Sequence, residues 1–490
     1  MKRPRKAVDA KALLARETRL VPFVRERFRL LLGYPAPYRV GMSSLGYLTL
    51  HRRVSARPGW SVERVFGDPT GSEGRLGSLE TGAPATDFHA LGISVAHELE
   101  IPAVAALLAA LGLNPRRRAR RGGPLVVVGG PLTAINPRPL APLADLVVVG
   151  EAEAAIGHLC DALEGGLTAA RGFEELGDAG GFWWPGQGAP PPPPLRVGPD
   201  LLPAHAGMWS PDAELRDMFL VEVSRGCNRA CGFCATSREA AGRCRSVATD
   251  QVLELVPARA TRVGLVGAAV SDHPGLREIL GSLVDEGREV GLSSIRADRL
   301  DEGLMALLGR AGLRTLTLGV DGASARLRRQ VGKGVTETHV VEAAGLAARA
   351  GLRRLKVYQL VGLPSETDDD LEELVRFTDR LSRILPITLA VSPFVPKPGT
   401  PLAGASQASP KEVERRLRYL RRGLKGRVRI QPASARWAWV EARIARGDEV
   451  TGEALLGAWE RGGTYAHYKD ALTEVDQGAK SRRLRPPGYQ

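Results

Sequence analysis

Six short β-branched segments, each followed by a helical pattern, run in series from residue 218, and the loop after the first reads Cys227-Asn-Arg-Ala-Cys231-Gly-Phe-Cys234. A series of βα units builds a parallel sheet, and such sheets carry their chemistry in loops beyond the carboxyl ends of the strands. The strand segments are 218–224, 262–266, 289–295, 315–320, 354–361 and 387–391. The α/β fold expected here is a partial (β/α)6 barrel of TIM type, with three thiols at its first strand end.

Three thiolates at C-x3-C-x2-C spacing hold a metal centre by three corners. A four-iron cluster normally takes four cysteines, so three leave one iron open to a substrate or cofactor. Cys244 is the nearby candidate for a fourth ligand. A structural zinc knot completed by Cys244 or a His is the alternative, although zinc motifs usually arrive as two separated pairs. Five cysteines in 490 residues argue for a reducing compartment and against a disulfide framework. The basic amino terminus is followed by no apolar stretch, and the longest apolar run, 104–113, is far short of the ~20 residues that span a bilayer. The expectation is a cytoplasmic protein with no membrane partner.

Lys and Arg number 68 against 54 Asp and Glu, a formal charge of +14. The excess is clustered at Arg116, Arg117, Arg118, Arg120 and Arg121, on a helix bearing Arg415, Arg416, Arg418, Arg421 and Arg422, and at Lys480, Arg482, Arg483 and Arg485. Such patches suit the phosphates of RNA. A solvated helix face is the simpler account of the second cluster, whose Leu417, Leu420 and Leu424 lie on the other side.

Residues 34–163 alternate strands (39–42, 61–66, 90–96, 125–128, 146–149) with helices such as 101–113, which predicts a Rossmann-like parallel sheet. Gly41, Gly129, Gly130 and Gly150 fall at strand ends, the edge where doubly wound sheets bind ligands. Neither a dinucleotide fingerprint nor a P-loop is present. Around this domain, residues 1–33 read as a basic amino-terminal extension and 164–216 as a Pro/Gly-rich linker containing the run Pro190 to Pro194. The barrel is assigned to 217–405. A small basic carboxyl-terminal extension, 406–490, adds a basic helix, a strand at 427–431 and a helix with Trp437 and Trp439.

The cysteine spacing, with Phe233 just before the last thiol, resembles the signature of the radical S-adenosylmethionine (radical SAM) superfamily. The segments Tyr34 to Tyr47, Glu63-Arg-Val-Phe66, Gly129-Gly-Pro131, Val149-Gly150-Glu151-Ala-Glu153, Lys356-Val-Tyr358, Gly362-Leu-Pro364-Ser-Glu366 and Ser392-Pro-Phe394 are similar to a bacterial set with a cobalamin-binding-type domain ahead of the barrel. The likeness runs from about Tyr34 to Asp470.

The resemblance implies that Cys227, Cys231 and Cys234 ligate a 4Fe-4S cluster whose open iron chelates S-adenosylmethionine. It implies a flavodoxin- or ferredoxin-type electron donor, cleavage to a 5′-deoxyadenosyl radical, and hydrogen abstraction. It also places cofactor contacts at Phe233, Gly267, Ser294, Arg296, Val361 and Gly362, the residues at or beyond strand ends. If cobalamin binds, methyl or group transfer to an unidentified substrate, RNA or another macromolecule, comes first among reactions. The competing class is an RNA- or ribosome-associated binding protein with a structural cluster.

Three departures bear on the reading. The loop 41–46 has no His of the D-x-H-x-x-G kind, with His51 and His97 lying elsewhere, so a bound cobalamin is expected base-off. Only Cys160 stands where methylthiotransferases carry three further cysteines. Asp321 stands where relatives are expected to have Glu.

Overall fold

The computed structural model describes residues 9–67, 76–168, 176, 180–236 and 244–483, with side chains to 478. Arg485 and the side chains of Lys480, Arg482 and Arg483 lie outside these. The chain divides into two compact units, the first Met1–Leu201, Ala206–Asp217 and Arg443–Gln490, the second Leu202–His205 and Met218–Ala442.

The first unit is built on six strands: β1 (Phe28–Tyr34), β2 (Trp60–Phe66), β3 (Ala90–Ser94), β4 (Leu125–Gly129), β5 (Leu146–Val148) and β6 (Phe182–Trp183). Their order is β2-β1-β3-β4-β5-β6, parallel except for the edge strand β6. The first five strands follow the flavodoxin-like winding, in which the switch point lies between the first and third strands. β1 is buried along nearly its whole length, as strands covered on both faces are. This corrects the expected first strand: residues 39–42 are not extended but fall on the helix Tyr38–Gly41 and its carboxyl cap. Pro35 and Pro37 end β1, and Pro37 stands at the helix start, where its fixed φ is an advantage. A Cβ on Gly41 would lie 2.5 Å from the Phe66 ring, so this glycine serves packing between helix and sheet.

Two ion networks are sealed into this unit. Arg64 on β2 has a side chain with no exposed surface; it meets both Glu17 oxygens at 2.8 Å and Glu80 at 2.6 Å. Beside it Arg29 reaches Glu63 at 2.6 Å, and Ser78 and Thr81 donate to the same carboxylate. The carboxyl-terminal helices Glu449–Glu460 and Tyr465–Arg483 belong here as well. The Asn136 amide donates to the Ala445 and Gly447 carbonyls at 3.0 and 2.8 Å, and a Cβ on Gly452 would press within 2.4 Å of the Pro139 carbonyl.

The second unit contains β7 (Phe219–Glu222), β8 (Arg262–Val266), β9 (Glu289–Leu292), β10 (Thr315–Gly319), β11 (Arg354–Val361), β12 (Ile387–Pro393) and β13 (Val428–Pro432). β9-β8-β7 and β10-β11-β12-β13 are parallel sheets, and a parallel bridge between Ile295 and Leu318 links β9's continuation to β10. The six expected strands all form, and the strand foreseen at 427–431 adds to β12 as a seventh. Alternation sets the faces: Leu355, Val357, Gln359 and Val361 are buried under helices, whereas the register row Thr317, Lys356, Thr388 and Arg429 lies on the opposite face.

Candidate functional site

The cysteine loop leaves β7 through Ser224–Arg225, which pairs antiparallel with Arg245–Ser246, so the excursion is pinned at both stems. Inside it the Cys234 N–H donates to the Cys231 carbonyl at 3.1 Å. Gly232 N–H donates to Val331 O at 2.8 Å, and Leu402 N–H donates to Gly232 O at 3.2 Å, which ties the loop to two other barrel segments. Cys231 is 8% exposed, while Cys227 and Cys234 are half-buried.

Burial pushes the Cys227 and Cys231 thiols up, and each is also raised by the neighbouring Cys234. Lys333 opposes this at Cys231. Thiols held protonated in this way become thiolates when a cationic centre binds them. Cys244 lies near Cys227, its N–H bonded to Asn228 Oδ1 at 2.7 Å. Among the described residues no three ligating side chains gather around one point, as a single ion requires. A cubane asks only for one thiolate per iron. Cys160 is apart from all this, 2% exposed in the first unit with its thiol pushed up to about 12 by burial.

Asp321, noted in the sequence, and Lys333, which was not, complete the surroundings of the loop. Lys333 Nζ meets Asp321 Oδ2 at 2.6 Å. Burial works against the ammonium, and the carboxylate more than offsets it, so the Lys333 pKa is raised. Asp321 sits just past β10 with φ of +54°, a left-handed conformation that Asp tolerates better than most residues. No local pattern marks Lys333; its role depends on where Asp321 is placed.

The expected cofactor contacts separate into two groups. Gly267, after β8, abuts Ser224, whose Oγ would lie 2.6 Å from an added Cβ. Ser293 donates to the Gly267 carbonyl at 3.2 Å, and Ser294 is exposed beside it. Ser224 Oγ is buried with no hydrogen-bond partner. Ser224, Gly267 and Ser293 thus meet at the strand ends with the Ser224 hydroxyl unsatisfied, and Phe233 is half-buried in the loop.

Arg296, Val361 and Gly362 form the second group, each with protein contacts of its own. Arg296 Nη1 donates to both Asp272 carboxylate oxygens at 2.8 Å, while its Nε and Nη2 donate to the two oxygens of Asp298. Val361 lies on the helix-covered face at 1% exposure. Gly362, with φ of +84°, gives its N–H to the Glu366 carboxylate at 2.6 Å.

Glu366 also meets Arg416 at 2.5 Å, yet burial dominates and pushes its carboxyl up to about 7. A pKa raised above the ordinary 4.5 means stability is lost as pH rises through the folded value. Thermal melts should show wild-type stability falling between about pH 4.5 and 7, and Glu366→Gln should flatten that slope; parallel pH profiles for the two proteins would refute the assignment.

Much of the basic character seen in the sequence is spent internally. Arg415 pairs with Asp368 and Glu412, and Arg416 with Glu366 and Glu412. In the first unit Arg116 pairs with Glu453 and Glu460, and Arg120 with Asp145. Arg418, Arg421 and Arg422 form no ion pair among the described residues.

At the carboxyl edge of the first sheet, two of the expected glycines are filled by the chain itself. A Cβ on Gly130 would meet Val95 O at 2.6 Å, and one on Gly150 the Leu195 backbone at 2.5 Å. His97, past β3, is exposed and lies 3.6 Å from Glu100. His51 is buried in the helix Leu45–Ser55.

Comparison with known proteins adds sequence and fold likeness. A family model described as the radical SAM superfamily matches residues 221–378, and one for the N-terminal region of radical SAM proteins matches 46–180. A protein of Methanocaldococcus jannaschii described as uncharacterized is 26% identical over 428 residues, 85% of this chain and 88% of its own. An uncharacterized methyltransferase of Pyrococcus horikoshii is 27% identical over 273 residues, 52% of this chain and 58% of its own. Among solved structures, the cobalamin-dependent S-adenosylmethionine radical enzyme OxsB superposes with a TM-score of 0.54 at 15% identity, over 73% of this chain and 52% of that one. No helix among the described residues is long and apolar enough to cross a membrane.

Proposed function

Because the chain belongs to the radical SAM superfamily, we propose that Cys227, Cys231 and Cys234 hold a four-iron cluster and that the protein cleaves S-adenosylmethionine to start a methyl or group transfer. The observation that carries this is the three-thiol loop, pinned at both stems and bonded to Val331 and Leu402. A cluster of this kind, bound by three cysteines, supplies one electron to the sulfonium once a donor such as flavodoxin or ferredoxin has reduced it.

The chain's own residues then have defined tasks. Ser224, Gly267 and Ser294 receive the polar end of the cofactor at the ends of β7, β8 and β9, where the orphaned Ser224 hydroxyl has a bond to offer. Lys333, held by Asp321, keeps a positive charge beside the thiolates and reduces the cost of their ionisation. Arg296 positions the loop after β9 through Asp272 and Asp298 instead of binding a carboxylate directly.

The reading extends to the first unit, whose 2-1-3-4-5 winding has its switch point at residues 35–37 and 95–98. We assign that edge to a base-off corrinoid, in keeping with the fold shared with OxsB and with methyltransferase among the relatives' descriptions. Full-length protein reconstituted with hydroxocobalamin is expected to retain the corrin with a base-off spectrum, unchanged in His97→Ala. No corrin after desalting would reject the cofactor, and a His-ligated spectrum abolished by His97→Ala would reject the open lower face. Release of 5′-deoxyadenosine by reduced enzyme with S-adenosylmethionine tests the first half independently.

A further inference from the structure

A groove of about 690 Å³ opens in the helical layer of the second unit, among the helices Ala325–Gln330, Glu337–Arg349 and Asp368–Ser382. Its volume is in the range of pockets that hold nucleotide-sized molecules. Four arginines line it, Arg328, Arg329, Arg376 and Arg380, against two carboxylates, Glu337 and Glu373. Glu373 is already used, accepting from the Ala325 N–H at 2.6 Å. Arg376 is bonded to Glu372 at 3.0 Å. Arg329 and Arg380 are exposed, and neither has an ion-pair partner among the described residues.

Arg328 is the unusual member. It is 2% exposed, its Nη1 donates to Gly322 O at 3.1 Å, and its guanidinium lies 5.8 Å from the Phe377 ring centroid. Its Nη2 is buried without a hydrogen-bond acceptor, Glu337 standing off at 3.6 Å. A buried guanidinium N–H left unmatched is costly, and natural structures keep such groups where a ligand or water completes them. The thirteen-residue helix Glu337–Arg349 starts at the same groove, adding the positive end of its dipole.

We propose that this groove binds a phosphate-bearing small molecule, with Arg328 as the buried donor and Arg329 and Arg380 closing on it from the rim. Guanidinium forks suit the paired oxygens of a phosphoryl group, and a lining with four cations and two anions favours a multiply charged one. The shared chemistry is a polyphosphate, which free tripolyphosphate or a nucleotide supplies.

Isothermal titration of the full-length protein with inorganic tripolyphosphate, ATP and sulfate tests this. Tripolyphosphate and ATP should each bind at least about tenfold more tightly than sulfate, with affinity falling as salt rises. ATP binding tighter than tripolyphosphate identifies a nucleotide as the source; equal affinities identify the phosphoryl chain alone. Arg329→Glu combined with Arg380→Glu should weaken both by about tenfold or more while leaving the iron content and melting temperature unchanged, since both side chains are exposed. Arg328→Met gives the same loss from the buried side. The proposal fails if neither ligand exceeds sulfate, or if the Arg329/Arg380 variant binds as wild type.

Discussion

Cys231→Ala should abolish the iron–sulfur chromophore and reduce 5′-deoxyadenosine to background, whereas Cys244→Ala and Cys160→Ala should each retain about four irons per chain. Cys231 is the most buried of the three loop thiols and the one beside Lys333. Cys160 is in the first unit with a thiol pushed up to about 12, which keeps it a small apolar filler. Cys244 is the stringent control because it lies close to Cys227. Loss of the cluster in Cys244→Ala, measured by iron content and visible absorption after anaerobic reconstitution, would show four thiolate ligands and no open iron.

The largest stability effect is expected at Arg64. Arg64→Met removes the buried cation that faces Glu17 and Glu80 and leaves Arg19 alone to compensate two buried carboxylates, a change that costs up to about 3–5 kcal/mol. At this size of folding unit that is a fall in melting temperature of roughly 10 °C. In the native protein burial resists ionisation of Glu17, and Arg64 and Arg19 overcome it, so its pKa lies below the ordinary 4.5. The stability it contributes is present above that value and lost as pH falls through the lowered one. Without Arg64 only Arg19 and the Tyr38 hydroxyl oppose the burial and the carboxyl pKa rises, so the gap between variant and wild type should narrow as pH drops toward about 5. Adding Glu17→Gln and Glu80→Gln to Arg64→Met should restore much of the loss. A pH-independent deficit that the triple variant does not relieve would assign the effect to lost packing.

What the sequence reveals follows from how local each signal is. The barrel strands show because β-branched runs end in glycine or a turn within a few residues, and the three thiols show because they share one loop. β1 is hidden by its neighbours: Arg25, Arg27 and Arg29 make the approach look like a basic extension, although Arg29 turns inward to Glu63. Arg64 reads as a surface residue until Glu17 and Glu80, 47 and 16 positions away, are brought to it. Arg296 is the reverse case. Its chemistry suits a carboxylate ligand, but Asp298, two residues on, and Asp272, distant in sequence, already supply carboxylates. The groove arginines are spread over two helices that lie about fifty residues apart in the chain, and they have no common motif.

The division of the chain also has a consequence for its birth on the ribosome. Since Arg443–Gln490 completes the first unit, the barrel is a guest inserted in a host whose last segment is separated from the others by Met218–Ala442. Synthesis proceeds from the amino end and units fold as they emerge, so the flavodoxin-like half must wait, its Asn136 amide without the carbonyls of Ala445 and Gly447, while the barrel is made. The host is therefore the last to close, and a nascent chain arrested before residue 443 leaves Asn136 and Pro139 without the helical tail that covers them, a surface for chaperones to guard.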